Sequence, residues 1–301
     1  MSNIFVTGAT GFIGRAVIDE LLLHNYKITA LARSDDSTQK LEAKGIKALR
    51  GTLEDIETLK HGAANSDGVI HLAFIHKFDE YEKSAKIDAA AISAIGNALE
   101  GTNKPFIVSS AVVGLDVKAS DGVAIESDVQ LSGFPRKSEQ AAIELVKKGV
   151  RFMSIRLPPT VHGTGDGAFI QFLIKNANLH KKSVYLNVPS YWSAVHVKDA
   201  AKLYRLSLEN GKAGSAYHAI AEQGVSFKDI AEHIAKKVGV DTKEKSVEEA
   251  GQYIGFLAHF GELFKPASSV LTRAELDWTP VELDLISDLE QNYEIDGKVA
   301  L

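Results

Sequence analysis

The sequence predicts an α/β fold: a doubly wound parallel sheet with a smaller, mainly helical C-terminal lobe. Three observations predict it. The apolar run Ile4-Phe5-Val6 empties into a glycine-spaced turn, Thr7-Gly8-Ala9-Thr10-Gly11-Phe12-Ile13-Gly14, and a helical pattern follows at once. Strand-like and helix-like stretches then alternate for half the chain, which implies parallel strands joined by crossover helices. The chain has 301 residues, 45% of them hydrophobic, enough for one large body and a smaller lobe.

In order, Ile13, Val17, Leu21 and Leu22 give the first helix its apolar face, and Lys27 to Ala32 supplies the second strand. Gly45 to Gly51 and Asp67 to Ala73 are compact apolar runs bounded by breakers, the third and fourth strands. Asp79 to Glu100 is alanine-rich and helical, Lys104 to Ser110 is strand five, Glu139 to Lys148 is a helix ended by Gly149, and Phe152 to Leu157 is strand six before Pro158-Pro159. The alternation then loosens through Gly163, Gly165 and Gly167, a helix from Ala168 to Asn178, and an aromatic loop at Tyr191-Trp192. It returns with a strand at Ser193 to Val197, a helix from Asp199 to Glu209 and a strand at Ala216 to Ala219. Helices at 227–238, 247–264 and 281–294 close the chain. The expected domains are 1–160 with 193–219 returning to it, and a lobe of 161–192 and 220–301.

Charge and composition remove several function classes. With 34 Lys plus Arg against 39 Asp plus Glu, the formal charge of -5 gives no footprint for nucleic acid or an anionic membrane. The chain has no cysteine, which excludes disulfides and thiolate catalysis, and its ten histidines lack metal-ligand spacing, so no metal is expected. Strand one begins directly after Met1-Ser2-Asn3 and no apolar run reaches spanning length, so the expected location is cytoplasmic.

A strand, glycine turn and helix in that order present free N-H groups and a positive dipole end to a diphosphate. Gly8 makes the turn, Gly11 admits the pyrophosphate, and Gly14 lets helix approach strand, with Thr10, Phe12 and Ile13 lining the turn. This pattern predicts a Rossmann dinucleotide site. At the end of strand two an acidic residue reads a free 2′-hydroxyl whereas a cation reads a 2′-phosphate. Here Ala32 takes the acidic place and Arg33-Ser34 follows, which favours NADP over NAD, although Asp35 and Asp36 lie close by. Thr52 and Leu53 are placed to flank adenine. Leu72, Ala73 and Phe74 run beside the diphosphate and nicotinamide ribose, and Ser109 and Pro158 complete the set at the ends of strands five and six.

The wording TGATGFIG, the pair Ser109-Ser110, the stretch Arg156-Leu157-Pro158-Pro159-Thr160-Val161-His162-Gly163 and the turn Val195-His196-Val197-Lys198-Asp199 resemble the extended short-chain dehydrogenase/reductases in order and spacing. That resemblance implies a Tyr-x-x-x-Lys pair after strand five. Phe134-Pro135-Arg136-Lys137-Ser138 stands there instead, with Phe134 in the tyrosine's place and Ser138 in the lysine's, so the chain resembles an atypical member. Ser110 then orients a carbonyl, and a histidine is the first residue type to examine as a replacement acid. His162, in place of the family's tyrosine near the opening between lobes, is the first candidate and His76 the second; His71 and His196 read as structural. Tyr191 and Trp192 can cover an apolar substrate or close the lobe interface. The leading expectation is an NADP-dependent oxidoreductase on a small carbonyl or alcohol substrate. The alternatives are a catalytically silent NADP-binding sensor or interaction protein, and a nucleotide-sugar epimerase or dehydratase. The helices at 79–100 and 139–148 make a homodimer plausible, as in many relatives.

Overall fold

The computed structural model describes residues 2–76 and 80–299. Its first half follows the alternation: β1 (Asn3–Thr7), α1 (Phe12–Leu23), β2 (Lys27–Ala32), α2 (Asp35–Glu42), β3 (Lys47–Arg50), α3 (Ile56–Ala64), β4 (Gly68–His71), α4 (Tyr81–Ala98), β5 (Pro105–Ala111), α5 (Gln140–Lys147) and β6 (Arg151–Leu157). The expected helix start at Asp79 lies outside the described residues. Strands β1, β4 and β5 are buried on both faces, as the runs IFV, VI and FIV require when helices cover both sides of a parallel sheet. Two helices escape the periodicity: α2 buries only Ser37 and Leu41, and α3 buries Leu59, Gly62 and Ala63, so neither carries an apolar stripe worth reading.

All seven strands of the main sheet run parallel in the order β10-β6-β5-β4-β1-β2-β3, where β10 is Ala216–His218. The winding reverses between β1 and β4, and the carboxyl ends of these two strands open the crevice where such sheets bind ligands. One core lies between the sheet and the face carrying α1 and α7 (Val197–Asn210), the other under α3, α4 and α5.

The lobe contains β7 (Thr160–His162), α6 (Phe169–His180), β8 (Lys182–Leu186), β9 (Tyr191–His196), β11 (Glu222–Ser226), α8 (Phe227–Val238), β12 (Asp241–Lys245), α9 (Val247–Ile254), α10 (Leu257–Leu263) and α12 (Leu285–Asn292). Its helices rest on two small sheets, β11-β9-β7 and β12-β8. The strand expected to rejoin the main sheet at Ser193 is β9, and it pairs with β7 and β11 instead; of that segment, α7 and β10 return. The expected helix 247–264 is broken at Gly255, whose φ of 54° and ψ of -134° end α9 and start α10. Finally α11 (Val270–Leu276) and Trp278 pack into the main body, where the Trp278 indole donates to Asp199 O at 3.0 Å.

Candidate active site

At the crevice the glycine turn is built from backbone. Gly8 has φ 75°, and a Cβ there would lie 2.7 Å from Ala73 N; a Cβ on Gly14 would lie 2.0 Å from Gly8 O. Gly14 thus seats α1 on the turn that Gly8 creates. Gly11 differs, since its Cβ would meet only Gly8 O, at 3.2 Å, and one side of it faces open space. Gly11 caps α1 without a side chain, and the first turn holds no acidic residue, so nothing competes for the free N-H groups at Phe12 and Ile13. Thr10 is half-buried and its carbonyl accepts from Arg15 at 3.5 Å. This cradle fits a dinucleotide diphosphate.

At the end of β2, Arg33 is exposed and makes no ion pair or hydrogen bond among the described residues. Its acidic neighbours are engaged elsewhere: Asp35 lies 3.4 Å from Arg50 and Asp36 2.7 Å from Lys40. Register pairs Ala32 with Arg50, so a second guanidinium stands at the same strand ends, a residue to which the strand-two sequence gives no pointer. The Ser34 hydroxyl caps α2, accepting from Ser37 N at 3.2 Å. Thr52 donates from both N and Oγ1 to Asp55, whereas Leu53 is buried in the core beneath α3 and α4. Leu72 and Ala73 are fixed to Thr7 by their N-H groups, and Pro158 is buried after β6.

The opposite wall is built from side chains. Arg136 Nε donates to Ser138 Oγ at 3.0 Å, its Nη2 donates to Ser109 O at 2.7 Å, and its guanidinium lies 4.3 Å from the Phe74 ring centre. Ser138 donates to Asp88 Oδ2 at 2.6 Å, and Arg136 stands 3.7 Å from the same carboxylate. His71 bridges Asp88 Oδ1 (3.2 Å) and Thr7 Oγ1 (2.9 Å), which also accepts from Ala73 N. Burial opposes ionisation of Asp88, but the His71 hydrogen bond, Arg136 and Ser138 outweigh it and hold the carboxyl below its ordinary range. With Asp88 ionised the donors run one way: His71 Nε2-H to Asp88 and Thr7 O-H to His71 Nδ1. Phe134 packs over Gly114, and Lys137 is exposed. In front of Arg136, Phe74 carries the His76 ring edge-on at 5.2 Å and the Tyr81 ring at 5.6 Å.

Of the two serines, Ser109 is spent on Tyr204 (2.7 Å) and His71 O (3.2 Å). Ser110 is 2% exposed, and its Oγ has no hydrogen bond of normal geometry; together with Ser154 it faces the carboxylate of Glu139. Glu139 forms a forked pair with Arg156, at 2.8 and 2.7 Å. Burial works against that carboxylate, and Arg156 holds it below its usual range. Arg156 also donates to His218 Nε2 at 3.2 Å, so His218 is neutral and donates from Nδ1 to Ser268 O at 2.8 Å. Burial, then the Arg156 charge, push His218 down to about 4.

His162 departs from its expected place at the mouth between lobes. It is 0% exposed within β7, its Nδ1 2.8 Å from Asp288, its ring against His196 at 5.4 Å, and its Nε2 without a hydrogen bond but 3.9 Å from the Glu222 carboxylate. A donor sealed in a strand seam has no route to a carbonyl in the crevice. His196 caps α7, accepting from Lys198 N. Tyr191 and Trp192 lie in a strand and not in a loop. Trp192 is fully buried, stacked on Phe227 at 4.9 Å, and closes the lobe core, while Tyr191 is partly exposed. The sequence points to the segment that holds Arg136 and Ser138, but nothing in it singles out Asp88 or Tyr81 beyond their place on the helix after strand four.

The family model described as NAD dependent epimerase/dehydratase family matches residues 4–221. A Schizosaccharomyces pombe protein, uncharacterised protein C2A9.02, is 43% identical over 95% of this chain and 98% of its own length. A Stigmatella aurantiaca protein, 4-hydroxy-2-methyl-3-oxo-4-farnesyl-3,4-dihydroquinoline-1-oxide ketoreductase, is 26% identical over 86% of this chain and 79% of its own. Among solved structures, the UDP-glucose 4-epimerase of Thermotoga maritima with UDP-glucose superposes with a TM-score of 0.76 at 16% identity, over 96% of this chain and 97% of that one, a likeness of fold. No helix among the described residues is long and apolar enough to cross a membrane, and none of their side chains group as a metal site.

Proposed function

This chain belongs to the NAD dependent epimerase/dehydratase family, and from that premise we propose that it is an NADPH-dependent reductase of small carbonyl compounds. The observation that carries the cofactor choice is Arg33, exposed and unpaired beside Arg50, with Ala32 where an acidic residue would bind a free ribose. Two guanidiniums offer forked donors to a 2′-phosphate. Gly8, Gly11 and Gly14 with the start of α1 hold the diphosphate, and Leu72 and Ala73 border the path toward the nicotinamide. When bound, that group supplies the hydride chemistry.

The protein's own part is orientation and charge. Arg136 is anchored on three sides at the crevice wall, and a fixed cation in a partly buried site would stabilise a carbonyl oxygen as charge gathers on it. Arginine holds its proton at any working pH, so it serves as an electrostatic group and not as an acid. We place neither Ser110 nor His162 at the reacting atoms, because both are sealed against ion pairs. A second reading, a silent NADP sensor, draws on the missing Tyr-x-x-x-Lys pair. A sensor changes partner affinity unequally with NADPH and NADP+ and reduces nothing. Two copies pairing through α4 and α5 would bring together the exposed, small Ala90 and Ser93, and a solution mass twice 32.5 kDa tests that dimer.

Titration of the protein with NADPH, NADP+ and NADH by calorimetry tests the cofactor reading. Phosphorylated forms should bind at least about tenfold tighter than NADH, and Arg33→Ala should remove about 1–2 kcal/mol of that preference. Equal binding of NADH and NADPH overturns the role of Arg33. Turnover of short aldehydes and ketones with NADPH then separates the reductase from the sensor.

A further inference from the structure

The side chains in front of Arg136 include two protic groups, His76 and Tyr81, gathered around one ring. Phe74 holds the His76 ring at 5.2 Å and the Tyr81 ring at 5.6 Å, while the Arg136 guanidinium covers Phe74 at 4.3 Å. Tyr81 opens α4, seven residues before Asp88 on the same helix, so the helix that anchors Arg136 through Asp88 also carries the tyrosine. The position where a tyrosine is missing, Phe134, lies in the segment that supplies the cation. Arg136 and Tyr81 lie far apart along the chain and meet across Phe74.

We propose that Tyr81 is the proton donor of this crevice, with Arg136 holding the tyrosinate it leaves. The proposal rests on the reductase reading above. As hydride from the reduced nicotinamide dinucleotide bonds to the carbonyl carbon, the C=O π pair moves to oxygen, and that oxygen takes the proton as the Tyr81 O-H bond breaks. Alcohol, oxidised dinucleotide and tyrosinate result, and the tyrosinate is reprotonated from water.

The Arg136 charge acts in opposite senses on the two protic groups. A positive charge disfavours imidazolium and favours tyrosinate. Burial first, and the Arg136 charge second, push the pKa of His76 down, which disfavours the imidazolium form. Tyr81 is raised by burial and by Asp88, and Arg136 opposes them. It therefore keeps its proton until the reaction draws on it, and Arg136 lowers the cost of releasing it. The neutral His76 ring is left to pass protons back from solvent.

Two measurements on the full chain test this. With tyrosines replaced by fluorotyrosine, the fluorine resonance missing in Tyr81→Phe identifies Tyr81, and Arg136→Met should move its titration upward. No movement overturns the pairing, whatever the activity. With NADPH and a short aldehyde, Tyr81→Phe should lose about 100-fold in turnover while its NADPH affinity matches that of the unaltered protein; retained turnover overturns the donor role. If the unaltered protein reduces no carbonyl although the titration shifts, the reductase reading and the donor role fall together and the Tyr81–Arg136 pair stands.

Discussion

The two walls of the crevice are made of different material. On the β1 side the working surface is backbone: the Gly8 to Gly14 turn, the uncapped start of α1, and N-H groups with nothing competing for them. On the β4 and β5 side it is side chain, a run of hydrogen bonds from Thr7 through His71, Asp88 and Ser138 to Arg136. A backbone wall tolerates change in the residues around it but admits no Cβ where the chain touches itself. A side-chain wall can change its chemistry by substitution, provided each donor keeps an acceptor. The first wall is accordingly held by its glycines, and the second by matching each donor to an acceptor.

The sharpest break is Gly14→Ala. Its new Cβ would stand 2.0 Å from a backbone oxygen, which no rotamer relieves, so a loss of at least about 3 kcal/mol is expected in thermal unfolding together with loss of dinucleotide binding. Asp88→Ala should cost about 2–3 kcal/mol by denaturant titration, since His71 Nε2-H and Ser138 O-H lose their acceptor in a dry site. Asp88→Asn, which keeps the shape, should cost less; equal losses would mean that packing and not donor satisfaction holds this wall.

The most gradual effect, spread over more than two pH units, is a pH dependence behind the side-chain wall. His218 is depressed to about 4, below its value near 6.5 in an unfolded chain. Its contribution to stability is therefore complete above pH 6.5 and lost as pH falls toward 4. The fall should reach about 3 kcal/mol, measured as denaturant midpoint against pH, and His218→Gln should flatten it.

How each wall could be read from sequence follows from the same distinction. A backbone wall is local: three glycines in eight residues between a strand and a helix state their purpose, and the alternation that follows fixes a parallel sheet. The side-chain wall joins residues 7, 71, 88, 136 and 138, and no spacing links them until the sheet sets β4 between β1 and β5. His162 lies away from its expected place for a related reason. Its stretch looked like a loop beside glycines, yet three residues there pair with β9 and carry the ring inside. The lobe's short strands, β7, β8, β11 and β12, are three to five residues each, too brief for alternation to rise above chance.

The chain's two tryptophans fall one to each core: Trp278 among the residues packed on α1 and α7, and Trp192 between Phe227 and Phe264 in the lobe. Light emission from this protein is thus a two-channel signal. Replacing Trp192 by Phe leaves a probe that sees only the main body, and replacing Trp278 leaves one that sees only the lobe. Followed during unfolding, the two channels will report whether the halves let go together or in turn.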